Sequence, residues 1–314
     1  MHRLFATLLV LTVATTHAGQ TPDKSTHYRS NDLILGAVPQ EIVPFREALG
    51  NPPAESLWGI PYFRGRIAGK PVVVAITGIG KTFTGMTSTL FIAELKPRLV
   101  LMSGTGARIN PDLRTGDVIV ATVTHEHDYG SLTREDMVYR PMNGPDNGNE
   151  VQNAFSPPAS WLAIADRAIA EYKAPQVQAN GSTYTIKARR GVVSSSDLFG
   201  VTQARIDTLR TRESLINSPF ATIVASPTEA FQPVANLRRS GKSINQSFPR
   251  FHTNIMEMES APLAHVCEAL AVPCLIVRAG SNVAQEAPND DYLRLGPIAA
   301  KEAARFSLHL LNYL

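Results

Sequence analysis

Apolar and polar positions alternate in blocks along this chain, and the blocks predict strands and helices in turn. Asp32–Ala37 (DLILGA) is a short apolar run ending in small residues, which reads as a strand. Gln40–Leu49 follows as a helix, with Pro39 near its first turn and Glu41 where strand gives way to helix. Tyr62–Ile67 and Val72–Thr77 read as a strand pair joined by Ala68-Gly69-Lys70, a hairpin signal. A glycine turn, Gly78-Ile79-Gly80, leads into a helix from about Phe83 to Leu95, and Pro97 ends it. Leu99–Met102 is a buried strand that runs into a second glycine turn, Gly104-Thr105-Gly106, and Asp117–Thr124 is a further strand.

The second half continues the alternation. Ala159–Tyr172 and Arg205–Leu215 have helical spacing, and Gly191–Ser195 is a strand that ends at Ser196-Asp197-Leu198-Phe199. Residues 126–158 and 217–253 are polar or proline-rich and read as long loops, with insertions at 130–155 and 212–250; loops of that length are usually functional or disordered. Asn254–Gln285 is the most informative stretch. It predicts a strand end at Ile255–Met258, a helix over Ser260–Leu270 with Pro262 in its first turn, and a buried parallel strand at Cys274–Ala279. Gly280-Ser281-Asn282 then falls at the carboxyl end of that strand, where open α/β sheets place ligands. Ile298–Leu314 is a closing amphipathic helix. Strands alternating with helices argue for one α/β domain with a largely parallel sheet over residues 32–314.

Composition narrows the classes. With 314 residues, 44% of them hydrophobic, the chain can bury one large core or two small ones. A net charge of +3, with no long lysine or arginine cluster, does not suit nucleic-acid binding. Past the N-terminus no apolar run is long enough to span a bilayer. The N-terminus itself has the form of a signal peptide over residues 1–18: His2-Arg3, an apolar Leu4–Val13, and Thr16-His17-Ala18 as a small-residue cleavage site. Residues 19–31 are polar and patternless, a flexible leader, so the mature protein is expected to be exported, periplasmic or secreted. An exported chain with two cysteines permits a Cys267–Cys274 disulfide, but both also sit in apolar patterns where free cysteine is common.

Candidate chemistry lies at strand ends. The two glycine turns could cradle an anion or a hydroxyl with backbone N–H groups, or could simply pack tightly against helices. Neither matches a dinucleotide fingerprint or a Walker loop. Glu41, Glu257, Glu259 and Asp197 are placed on the rim of one sheet, where carboxylates can accept hydrogen bonds from sugar hydroxyls and activate water, or can be no more than surface charge. Phe199 could stack on a flat ring or belong to the core. His125, His127 and Asp128 allow a metal or a plain surface reading, and no Gly-x-Ser-x-Gly elbow or His-Glu-x-x-His is present.

Taken together and in order, VVVAITGIGK and LVLMSGTGARI within residues 72–109, RTGDVIV at 114–120, MEMESA at 256–261 and VRAGSNVA at 277–284 resemble the purine nucleoside phosphorylase/uridine phosphorylase superfamily, with methylthioadenosine/S-adenosylhomocysteine nucleosidases as the nearest branch. The resemblance covers most of the chain from Leu33 onward. It implies a three-layer α/β/α sandwich around a twisted mixed sheet, a homodimer, and no metal or organic cofactor. It implies that Glu41 holds the attacking water, that Thr105 and Gly106 lie beside the ribose, and that Gly78 and Gly80 form a turn near the nucleophile. Met258 would pack on the sugar beside Glu257, Glu259 would bind its 2′- and 3′-hydroxyls, and Phe199 would stack on the purine. Ser281-Asn282 falls where the nucleosidases have Ser-Asp, the aspartate being their general acid.

Asparagine has no carboxyl proton to give, though it can donate an N–H to purine N7 or O6. The expected ligand is therefore a purine nucleoside, 6-oxopurine or other, or the free base. The places where phosphorylases commonly carry phosphate-binding arginines read Met102 and Val38-Pro39-Gln40, so water is the expected acceptor. Three functions remain in view: an exported nucleosidase, a nucleoside- or base-binding or storage protein with weakened catalysis, or a phosphorylase.

Overall fold

Side-chain parity along the strands sorts the core onto two faces of one sheet. The computed structural model describes residues 31–132, 137–139, 142–143, 150–151, 154–210, 252–285 and 288–314, those within 131–153 by backbone alone. In chain order the elements are β1 (Asp32–Gly36), α1 (Pro39–Ala48), β2 (Glu55–Leu57), β3 (Ile60–Ile67), β4 (Lys70–Ile76), α2 (Lys81–Leu95), β5 (Leu99–Arg108) and β6 (Val118–Glu126). Two short pairs follow, β7 (Gly130–Leu132) with β8 (Met137–Tyr139) and β9 (Met142–Asn143) with β10 (Glu150–Val151), then β11 (Ala154–Phe155) and α3 (Ala159–Glu171). The remainder is β12 (Gln176–Ala179), β13 (Ser182–Thr185), β14 (Ala188–Ser195), α4 (Gln203–Arg210), β15 (Ile255–Glu257), α5 (Ser260–Ala269), β16 (Cys274–Val283) and α6 (Asn289–Leu310).

Ile34, Val72, Val74, Leu99, Leu101, Val118, Val120, Leu275 and Val277 point to one face, where Phe45 of α1, Ala165 of α3 and Ala303 and Phe306 of α6 cover them. Their odd-numbered and even-numbered neighbours Leu33, Leu35, Val73, Ala75, Val100, Met102, Ile119 and Ile276 point to the other, under Phe91 and Leu95 of α2 and Leu263 and Cys267 of α5. A run buried on both faces must be apolar at every position, which is why these strands read as continuous hydrophobic blocks. Helices on both faces of a mixed sheet make the three-layer α/β/α sandwich.

The sheet also closes on itself. β1 lies parallel between β4 and β5, and β3 and β2 extend antiparallel from β4. β5 pairs with β16 in parallel, β16 with β6 antiparallel, β6 with β14 and β14 with β15 in parallel, and β15 returns antiparallel to Ala107 and Arg108 of β5. Closure brings the ends of β1, β5, β15 and β16 into one small space.

Several expectations change. Gly104-Thr105-Gly106 is no turn: β5 runs through it, and the glycines serve close approach to neighbours. β16 likewise continues through Gly280-Ser281-Asn282, with a register shift against β5 between Gly280 and Val283. The polar 126–158 segment is no single loop, for β6 extends to Glu126 and the short strands β7 to β11 fall within it. The β12–β13 hairpin, whose four-residue strands are too short to stand out by pattern, was not anticipated. α6 starts at Asn289 and carries Pro297 internally, nine residues before the apolar period becomes regular at Ile298. Cys267 and Cys274 are both buried and free. The signal peptide, the leader and the 212–250 insertion lie outside the described residues, as does most of the 130–155 insertion. Among the described residues no helix is long and apolar enough to cross a membrane.

A Cβ at Gly106 would stand 2.7 Å from the Met256 carbonyl oxygen and press on Ile255, both on the strand that closes the ring. Gly106→Ala is expected to cost about 1–3 kcal/mol by overpacking, read from denaturant unfolding against the parent protein.

Candidate active site

A guanidinium with no exposed surface sits where the strands converge. Arg278 is the central residue of β16, and its side chain points to the closure of the ring. Nη2 pairs with Glu257 and, at 3.3 Å, with Oε2 of Glu259; Nη1 lies 3.9 Å from Oε1 of Glu41. Nε donates to Ser260 Oγ at 3.0 Å. Burial works against the Arg278 charge, but Glu257, Glu259 and Glu41 outweigh it and hold its pKa above the ordinary value.

Each carboxylate is fixed by the element that carries it. Glu41 belongs to the first turn of α1 and reaches back so that Oε2 accepts the Ala37 N–H at 2.7 Å, in the manner of a capping box. Its Oε1 accepts both the Thr105 N–H at 2.8 Å and the Thr105 hydroxyl at 3.1 Å. Glu257 ends β15 and caps α5: it accepts the N–H groups of Glu259 (2.9 Å) and Ser260 (2.9 Å) and the Ser195 hydroxyl, so its carboxylate is engaged entirely by protein. Glu259 accepts the Gly80 N–H at 3.0 Å. That hydrogen bond takes up the Gly80 amide, so the Gly78–Gly80 turn orients Glu259. Gly78 and Gly80 both have positive φ, 85° and 88°, which suits glycine.

Burial raises the Glu259 carboxyl, Arg278 opposes it, and the neighbouring Glu257 and Glu41 add to the rise, leaving it at about 8. Glu259 therefore holds a proton over much of the neutral range in the free protein. In that state it can both donate to and accept from a vicinal diol.

These groups form the floor of a cavity of about 460 Å³, within the usual range of roughly 300–1,000 Å³ for small-molecule sites. Glu41, Thr105, Gly106, Phe199, Met258, Glu257, Glu259, Ser281 and Asn282 all line it. Met256 and Ala107 form an apolar floor and Leu198 and Phe199 an exposed flap. Asn282 accepts from the Ser281 hydroxyl at 2.9 Å and donates from Nδ2 to the Val283 carbonyl at 3.0 Å, which leaves one amide N–H uncommitted within these contacts. Asp197 stands outside the cavity lining. It caps α2 by accepting the Lys81 N–H at 2.8 Å, and its own N–H is held by Asp128. His125 bonds Ser194 and Asp128 bonds Lys81, and among the described residues no three metal-binding side chains converge.

Three residues of the site escaped the pattern reading. Arg278 was hidden in an apolar run, although a lone arginine at the centre of a strand buried on both faces is itself the signal. Gln40 and Tyr292 reach the cavity from α1 and α6, and nothing in the local pattern marks them.

The Phosphorylase superfamily profile matches residues 32–312 of the chain. A 5′-methylthioadenosine/S-adenosylhomocysteine nucleosidase of Shewanella halifaxensis is 26% identical over 260 residues, spanning 82% of this chain and 88% of that protein. The crystal structure of a Neisseria meningitidis 5′-methylthioadenosine/S-adenosylhomocysteine nucleosidase, in complex with methylthio-immucillin-A, superposes with a TM-score of 0.65 at 22% identity, covering 91% of this chain and all (100%) of the other. A futalosine hydrolase of Helicobacter pylori gives 0.66 at 22% identity, covering 92% and 100%.

The raised Glu259 carboxyl has a consequence for stability. Between the ordinary value of 4.5 and about 8, the folded protein keeps a proton that the unfolded chain has released, so stability falls as pH rises through that window. Glu259→Gln fixes the neutral form. Whatever the difference in Tm between variant and parent at about pH 5, it is expected to move in the variant's favour up to about pH 8 and then level off. A difference that stays flat across the window would place the Glu259 proton elsewhere.

Proposed function

Because the chain belongs to the phosphorylase superfamily, we propose that its cavity hydrolyses the N-glycosidic bond of a purine nucleoside. The observation that carries this is the buried Glu41–Thr105 pair standing beside Glu259 on the cavity floor. A ribose whose 2′- and 3′-hydroxyls bind Glu259 presents its anomeric carbon toward Glu41, with the base under Phe199 and beside Asn282. Glu41 aligns a water on the face of the sugar opposite the base. As the C1′–N9 bond lengthens, the neighbouring carboxylates stabilise the developing oxocarbenium charge. The water oxygen then bonds C1′, and its proton passes to Glu41.

Water suits the site better than phosphate. Among the described residues no lysine or arginine lines the cavity, and Arg278 beneath it is spent on three carboxylates. A phosphate dianion there would meet like charge and no guanidinium fork. The names of the nucleosidase relatives point the same way.

Asn282 sets the base and the rate. Its free N–H can stabilise the leaving purine at N7, or meet O6 of an oxopurine, but the proton that the leaving base takes up must come from solvent. That neutral group also favours the second reading, a binding protein that turns over slowly. The mature protein incubated with inosine, guanosine, adenosine and methylthioadenosine is expected to release free base without phosphate. Glu41→Gln should lower kcat by about 10²–10⁴-fold and Asn282→Asp raise it, on adenine nucleosides most, since general-acid help is worth about that much. Thermal stabilisation by a nucleoside with no base release would give the site to the binding protein. Release that requires phosphate would refute hydrolysis.

The same reading includes an exported homodimer. Ile79, Phe83 and Met86 share one face of α2 and its approach and are 56%, 57% and 49% exposed. An exposed apolar face next to a cavity that Ile79 also lines suits a subunit interface. Light scattering is expected to show a dimer that Phe83→Arg with Met86→Glu converts to monomer; a parent protein that is already monomeric would remove the interface.

A further inference from the structure

Once base, diol and water are placed, one wall of the cavity has no assigned role: Val38, Gln40, Pro288, Asn289 and Tyr292. It lies between the start of α1 and the start of α6. The base and C5′ leave the ribose ring from the two carbons that flank the ring oxygen. With the anomeric carbon held toward Glu41 and Asn282 and the diol on Glu259, the C5′ substituent projects toward this wall. The inference below rests on the nucleosidase reading and refines it.

The wall is polar where it meets the sugar. Gln40 Nε2 donates to the Tyr292 hydroxyl at 3.2 Å. The Thr105 hydroxyl, also on the cavity lining, gives its proton to Glu41 at 3.1 Å. An amide nitrogen can only donate, so the Tyr292 hydroxyl accepts from Gln40 and keeps its own proton to give. The Tyr292 ring meets the Phe199 ring edge-on, with centroids 5.8 Å apart and planes at 89°, which ties this wall to the base flap. The phenol is thus a neutral donor held within reach of the sugar, with a second donor behind it.

We propose that Tyr292, supported by Gln40, is the specificity-determining residue for the sugar's 5′ position and selects the 5′-hydroxyl of an unmodified ribonucleoside over a 5′-alkylthio group. A 5′-hydroxyl can accept the phenol proton and donate onward. A thioether sulfur is a weak acceptor and gives nothing back, so the alkylthio group leaves Tyr292 and Gln40 facing a surface that cannot pair them. Sites built to hydrogen-bond a substrate hydroxyl discriminate strongly against analogues that lack it.

The test compares substrates that differ only at C5′: adenosine with methylthioadenosine, and inosine with methylthioinosine. The parent protein is expected to show a higher kcat/KM for the hydroxyl member of each pair. Tyr292→Phe should lower that ratio by about ten-fold, and Gln40→Leu by less in the same direction, with affinity for the free base measured by calorimetry alongside. A merely structural role would reduce both members of a pair alike. A parent preference for the methylthio members, or a ratio that Tyr292→Phe leaves unchanged while cleavage persists, overturns the assignment and leaves hydrolysis standing. If no nucleoside is cleaved, the same ratio is read from dissociation constants. If neither nucleoside nor base binds, the nucleosidase reading falls, and the 5′ assignment with it.

Discussion

Everything in the cavity depends on one ion held without water. Arg278 has no exposed surface and faces carboxylates from α1, from the end of β15 and from the residue that starts α5. Desolvating a guanidinium costs several kcal/mol, which the surrounding charges and the Ser260 hydroxyl offset only if all stay in place. Removing one partner from such a cluster typically costs about 3–5 kcal/mol, because a buried charge is left behind. The cluster is therefore weak as a source of stability and strong as a constraint on geometry. It forces three segments remote in sequence to meet at one point, and that point is the floor of the cavity.

Backbone space makes the meeting possible. A Cβ at Gly104 would clash with the Arg278 guanidinium and lie 2.7 Å from Glu41 Oε1, and one at Gly36 would lie 3.0 Å from the Glu41 Cβ. These glycines sit on adjacent parallel strands, β1 and β5, so the sheet leaves room for an ion pair where most sheets pack Val or Ile. Ring closure through β15 supplies the third side. The site is thus a property of the sheet's interior, with α1 and α6 adding the wall on which Gln40 and Tyr292 stand.

Much of this could be read from the chain alone, and the failures have physical causes. Strands buried on both faces announce themselves as apolar blocks, and helices by period and by prolines near their ends, so Leu33–Leu35, Val72–Ala75 and Phe91–Leu95 were legible. Glycines were misread where two causes share one residue type. Gly78 and Gly80 need positive φ, whereas Gly104 and Gly106 are extended and serve close approach, which no local pattern distinguishes. Glu41, Glu257 and Glu259 could be placed at strand ends, but their division of labour could not. Glu257 is consumed by the amides of α5, a fact that depends on three-dimensional capping and not on spacing. Tyr292 was invisible because its hydrogen-bond partner, Gln40, is 252 residues away in the chain.

The two ends of the cavity share a chemical theme that its floor does not. On the floor stand charges, and the proposed bond-breaking needs them there, since positive charge develops on the sugar. At the proposed base end Asn282 offers a neutral N–H, and at the proposed C5′ end Tyr292 and Gln40 offer neutral donors. Donors without charge recognise acceptors at little desolvation cost, but they supply no proton to a leaving base. A site arranged this way stabilises the sugar cation as a nucleosidase must and leaves departure of the purine to depend on the base's own acceptors. An oxopurine presents acceptors at both N7 and O6 to a single donor, whereas adenine presents N7 and an amino group that itself needs an acceptor. On the proposed reading both ends of the cavity offer neutral donors to an oxygen, which suits a 6-oxopurine at one end and a hydroxyl at the other.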